Sequence, residues 1–165
     1  MSTLHVENLK GLSSGSNANK IIIPSGQELH AAGQVIQVVQ GTSTSYLVTG
    51  SSDAYIDTGL PATITPKFAS SKVLVLHSSA IVKNSTYDFI LRLLRGSTNI
   101  HQLNFYSTTT TYYSMSAAFQ YLDSPSTTSA TTYKTQVYKN YNDVLYNYNN
   151  EVTSVSTLTL MEIAA

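Results

Sequence analysis

The sequence predicts an all-β protein: an antiparallel β sandwich of jelly-roll type preceded by a short extended N-terminal arm. Three observations predict it. Residues 111–122 alternate, with Tyr113, Met115, Ala117, Phe119 and Tyr121 on one face, the period of a half-buried strand. Residues 72–76 (KVLVL) carry apolar side chains on both parities, as a central strand does. Short apolar runs recur along the chain between Gly, Pro, Asn and Ser turns, the spacing of sandwiches and jelly rolls. No stretch competes as a helix, and no internal repeat is visible.

The first 33 residues read as an arm. Residues 11–19 (GLSSGSNAN) have the composition of a linker. Residues 20–24 (KIIIP) read as one short strand ended by Pro24, which cannot donate to a ladder. The block is too poor in apolar residues to fold alone, so it is expected to attach to a partner by strand addition or by wrapping. Ile21, Ile22, Ile23 and Leu29 are its attachment candidates.

Residues 34–165 are the expected head domain. Strands are expected at 35–39, 45–49, 54–57, 62–65, 72–76, 87–95, 111–122, 131–138 and 152–163. Phe89, Leu91 and Leu93 share one face of the sixth, and Tyr133 and Val137 point inward from the eighth. The last strand is apolar on both parities, with Leu158 and Leu160 on one, and Val155, Met161 and Ile163 on the other. One set can face the core and the other a symmetry axis. All five are candidate contacts of a homotrimer, since closed symmetry hides such surfaces.

Composition narrows the function. A chain of 165 residues suits one domain with a short extra segment. It has no cysteine, so no disulfide framework and no thiol chemistry. Nine basic residues balance nine acidic ones, and charged residues make up 11%, against about 25% in an average protein. Such a chain has little counterion-release drive toward nucleic acid and no basic patch for an anionic membrane. Its longest apolar runs fall far short of the roughly 20 residues of a membrane-spanning helix, so no membrane insertion is expected. Ser and Thr, 44 in all, carry the polarity instead. A surface of this kind repels itself weakly and favours assembly. Residues 1–10 lack the apolar core of a secretion signal, which points to synthesis in a cytoplasm.

Motifs for catalysis are weak. Residues 11–15 (GLSSG) match the G-x-S-x-G nucleophile pattern, but that elbow needs a strand before it and a helix after it; a linker is the expected reading. His5, His30, His77 and His101 share no metal-binding spacing and are expected at the surface or core edge. The nine carboxylates are scattered, and Asp53, Asp57 and Asp123 adjoin residues where Asp caps turns. Asn84-Ser-Thr86 fits a glycosylation sequon, a short pattern that arises often by chance. No catalytic residue, metal or cofactor is expected. The enzyme alternative is a small glycan hydrolase using a carboxylate pair.

Tyrosine is the informative excess, at 12 residues beside 4 Phe and no Trp. Residues 138–150 (YKNYNDVLYNYNN) combine Tyr and Asn. Tyr offers large contact area at low entropy cost, and Asn offers adaptable hydrogen bonds. Tyr138, Tyr141, Asn142, Tyr146, Asn147 and Tyr148 are therefore candidates for binding a sugar or protein surface, with Tyr106, Tyr112 and Tyr113 beside them. The alternative is a hairpin whose tyrosines pack at subunit contacts.

Residues 2–11 (STLHVENLKG), 20–30 (KIIIPSGQELH) and 33–39 (GQVIQVV) resemble the N-terminus of marine bacteriophage virion proteins of the fibre-like or minor structural kind. Residues 55–66 (YIDTGLPATITP) with 71–76 (SKVLVL), and 121–125 (YLDSP) with 130–134 (ATTYK), are similar to strands of compact phage-fibre β domains. The resemblance implies a trimeric head like those of tumour necrosis factor and the complement globular heads, and it carries over no catalytic residue. It implies a small trimeric fibre or spike subunit on a virion, made in the host cytoplasm. Other virion proteins would be bound through the arm, and a host surface glycan or protein would be a further partner. The structural alternative is a capsid decoration protein that binds no host.

Overall fold

The computed structural model describes residues 10–11, 13–23, 25, 31–45, 47–48, 54–83, 89–106, 113–139, 144–146 and 154–165. The chain divides into two units, Met1–Ala31 and Ala32–Ala165. In the first, turns are closed by Ala18 N–H on the Gly15 carbonyl and Lys20 N–H on the Asn17 carbonyl, both at 3.1 Å. Residues 20–23 form no strand, contrary to the sequence expectation. Among the described residues nothing pairs with them, and an unpartnered run of three isoleucines has no ladder to join. Ile21, Ile22 and Ile23 are exposed.

The second unit is a β sandwich without a helix among the described residues. Its strands are β1 (Val35–Ser43), β2 (Leu47–Val48), β3 (Tyr55–Ile64), β4 (Lys72–Lys83), β5 (Phe89–Arg95), β6 (Thr98–Phe105), β7 (Tyr113–Asp123), β8 (Thr131–Lys139), β9 (Val144–Tyr146) and β10 (Ser156–Ile163). One sheet runs β1-β10-β4-β7, with β9 alongside the far end of β4 and β2 beyond it. The other runs β3-β8-β5-β6. All pairs are antiparallel, and the pairing is nested: β1 with β10, β3 with β8, β4 with β7, β5 with β6. One long hairpin wound on itself gives this order.

Alternation decides what is buried. Val73 and Val75 on β4 point inward with Leu158 and Leu160 on β10. They meet Leu60, Ala62 and Ile64 of β3, Leu93 of β5 and Tyr133 of β8. A second cluster joins Ile81, Phe89, Leu91, Ala117 and Val137. Each fully buried large side chain contributes about 1.5–3 kcal/mol of transfer free energy. The core thus lies in two adjoining patches along one sandwich, with Phe119 packed against both.

Several elements differ from the sequence expectation. Residues 54–57 and 62–65 belong to one strand, β3, whose register shifts between Asp57 and Pro61. Gly59 has φ +70° there, a conformation that favours glycine. β6 was not expected, because its run TNIHQLNF is polar on its outer side and lies at a sheet edge. Gly41 of β1 lies directly against the Pro61 carbonyl of β3, so the two sheets close tightly along that margin.

Two buried polar groups hold the sandwich ends. Asp123 of β7 accepts from Arg95 Nη1 at 2.9 and 3.0 Å and from the Tyr133 hydroxyl at 2.7 Å. It is a strap between sheets, not the turn cap its neighbours suggested. Burial, reinforced by Asp123, pushes the Tyr133 hydroxyl well above its ordinary pKa. Glu162 of β10 is fully buried. It accepts from Gln37 Nε2 at 2.6 Å and from the backbone N–H groups of Lys67 and Phe68 at 2.8 and 3.3 Å. Burial alone would raise the Glu162 carboxyl, but these hydrogen bonds outweigh it and hold its pKa below the ordinary value.

His77 is also inside. Its ring lies 4.8 Å from that of Phe119, and Nε2 is 3.0 Å from the Ser79 hydroxyl, while Nδ1 is buried with no partner. Burial lowers its pKa from 6.5 to about 4. Below pH 6.5 the unfolded chain takes up a proton that the folded one refuses. Stability should therefore fall by about 3 kcal/mol between pH 6.5 and about pH 4, then level off in this contribution. The Glu162 and Asp57 carboxyls, whose folded pKa values are lowered, add their own loss as pH falls below their ordinary values of 4.5 and 3.8. Denaturant unfolding at stepped pH should show the slope, and His77→Phe should flatten it; an unchanged slope in the variant would refute the assignment.

Candidate functional site

The two outer faces of the sandwich differ in chemistry. On the β1-β10-β4-β7 face, register aligns Val38, Met161, Leu74 and Leu122 in one row across all four strands. Val38 is 56% and Leu122 49% exposed, values well beyond those of a packed face. Ile163 and exposed Val35 pair one step toward the sheet end. In the other direction the row is Gln40, Thr159, Leu76 and Gln120. A shallow depression of about 360 Å³ lies there, lined by Leu76, His77, Ala118, Phe119 and Gln120. Both parities of β4 and β10 are apolar, so their inner residues build the core and their outer ones build this stripe.

The β3-β8-β5-β6 face is polar and aromatic. Register aligns Asp57, Gln136, Arg92 and Gln102 across its four strands, and Tyr55, Tyr138, Ile90 and Asn104 in the next row. Arg92 donates to Gln136 Oε1 from Nε at 3.0 Å and from Nη2 at 2.5 Å. Gln136 Nε2 donates to Asp57 Oδ1, and Lys134 Nζ to Asp57 Oδ2 at 2.8 Å. The Arg92 guanidinium lies 3.4 Å from the centre of the Tyr55 ring, which lies 4.9 Å from that of Tyr138. Gln102 Nε2 donates to Asn104 Oδ1 at 2.9 Å. Partial burial would raise the Asp57 carboxyl. The hydrogen bonds from Lys134 and Gln136, with the charges of Lys134 and Arg92, outweigh that and hold it below its ordinary value.

No family model and no curated protein matches the chain. Among solved structures it is similar to the PRD1 vertex protein P5, with 13% identity and a TM-score of 0.43 over 79% of this chain and 99% of that one.

The residues singled out in the sequence fall in different places. Leu158 and Leu160 are fully buried core residues, so they cannot be subunit contacts; their inward parity on β10 is the reason. Met161 and Ile163 take the outer parity of the same strand, and Val155 just before it is 54% exposed. Tyr138 is half-buried in the aromatic pair, and Tyr106 is exposed. Tyr112, Tyr141, Asn142, Asn147, Tyr148 and Leu29 lie outside the described residues, as do the side chains of Tyr113 and Tyr146. The backbone places Tyr113 opposite Lys83 of β4, and Tyr146 between Ile81 of β4 and Leu47 of β2. Asp57 sits mid-strand in the polar row and caps no turn. Sequence reasoning missed Arg92, Gln136 and Asn104, whose alternation with buried neighbours was the available signal. Among the described residues no group of His, Asp and Glu could hold a metal.

Proposed function

We propose that this chain is a structural protein of a bacteriophage particle, a small non-catalytic spike or fibre subunit that forms a homotrimer through the outer face of β1-β10-β4-β7. The observation that carries the assembly is the in-register row of Val38, Met161, Leu74 and Leu122. Single exposed apolar side chains are ordinary, but a contiguous row is the mark of an interaction surface. Lys72 is the only charge on that face among the described residues, so little opposes its burial against another copy. The sequence resemblance implies a trimeric β head and supplies the setting in a virion.

Sedimentation at micromolar concentration should give three chain masses. Val38→Lys with Leu122→Lys should give a monomer with an unchanged circular dichroism spectrum. A monomeric wild type, or a trimer that survives both lysines, would refute this surface. Antibody against the chain should label purified particles, and particles free of label would refute the virion setting.

A further inference from the structure

We propose that the outer face of β3-β8-β5-β6 binds a neutral saccharide, held by Asp57, Arg92, Gln102 and Asn104 beside Tyr138. This inference does not depend on the assembly reading, because it concerns the opposite sheet.

Charge is concentrated on this face. The chain is 11% charged and elsewhere dresses its outer faces with Ser and Thr, as in the Thr63–Thr132 pair and in Ser114 and Ser116 of β7. Solvation alone would be served equally well by hydroxyls here. Instead Asp57, Lys134 and Arg92 meet on one patch, Lys134 directly on Asp57 and Arg92 through Gln136.

The patch is also preorganised. Arg92 is fixed flat by the Tyr55 ring and by two donors on one Gln136 oxygen, and Asp57 is fixed at both oxygens. Side chains already ordered lose little entropy when a ligand arrives. The row retains binding capacity: Arg92 Nη1, spare lone pairs on Asp57, the Gln102 side-chain oxygen and the Asn104 amide nitrogen. Arg92 and Gln102 lie on neighbouring strands, about 4.8 Å apart, and Asp57 lies two strands from Arg92, so the row spans roughly 14 Å, the reach of an oligosaccharide.

Donor and acceptor chemistry selects the ligand class. Asp57 only accepts, and Arg92 only donates. A hydroxyl does both, so a polyol can satisfy the row from end to end. A carboxylate or phosphate could use Arg92 and Lys134 but would face the ionised Asp57. The Tyr138 ring beside the row offers apolar surface to the C–H groups of a pyranose.

The whole protein should be screened against an array of neutral and acidic oligosaccharides, and the best ligand titrated by calorimetry. We expect a neutral oligosaccharide to bind. Gln102→Ala with Asn104→Ala, both exposed on an edge strand, should weaken it at least about tenfold. Arg92→Lys should do the same, because it loses the planar fork. Gln120→Ala on the opposite sheet should leave binding unchanged, and the unfolding midpoint of the Gln102/Asn104 variant should match wild type. Binding of acidic glycans alone, no binding at millimolar ligand, or affinity unmoved by both variants would overturn the proposal.

Discussion

Asp123→Ala is expected to destabilise the head by about 2–4 kcal/mol. The carboxylate is buried and takes three hydrogen bonds, two from Arg95 and one from Tyr133. Removing it strands a phenol in the core and a guanidinium beside it. Losing one partner of a buried pair costs about 3–5 kcal/mol, and the lower figure follows because the Arg95 side chain is 33% exposed and recovers some hydration. Adding Tyr133→Phe should cost less than the two single changes summed, since the orphaned hydroxyl is gone. Denaturant unfolding of the four proteins measures this. Strict additivity would show that the hydroxyl and the carboxylate are not coupled.

Glu162→Ala is the second large effect, expected at about 2–4 kcal/mol, or a fall in Tm of roughly 5–15 °C for a domain of this size. Gln37 and Glu162 together clasp the segment after β3: Gln37 Nε2 also donates to the Thr65 carbonyl at 2.7 Å. Without the carboxylate, the Lys67 and Phe68 N–H groups lose this acceptor and Gln37 keeps only the Thr65 carbonyl. Glu162→Gln keeps one acceptor oxygen and should lose about half as much. The folded pKa is lowered, so this contribution is present above the ordinary carboxylate value near 4.5 and is lost as pH falls through the folded value. Wild type and Glu162→Ala should therefore converge in strong acid. Equal separation of their midpoints at pH 7 and in strong acid would contradict the role.

Where the two sides of a strand differ sharply, the fold was legible from sequence. Met115, Ala117, Phe119 and Tyr121 do face inward on β7, and Phe89, Leu91 and Leu93 on β5 are fully buried. The doubly apolar run 72–76 is the central strand of its sheet. Pro61 and Gly59 looked like a break, yet a register shift carries β3 through them. The β6 run hid because an edge strand tolerates half-exposed His101, Leu103 and Phe105 on its inner side. The outer faces were harder still. Nothing local says that Asp57 and Arg92 lie in one row, because their alignment runs through β8, some 45 to 80 residues further along. On β10 both parities are apolar, and only the burial of Leu158 and Leu160 in the assembled sandwich shows which one turns inward.

The nested pairing has a consequence in time. β10 fills the gap between β1 and β4, yet it is the last of the strands to be synthesised. Until it arrives, β1 has no ladder partner and the β10-facing edge of β4 stays open along Lys72–Ser78. The β5–β6 hairpin can close early and locally, whereas Val38 must wait for Met161. Long-range closures of this kind make folding slow. On the ribosome the growing chain therefore carries an apolar, unpaired sheet edge until Ser156–Ile163 has been made.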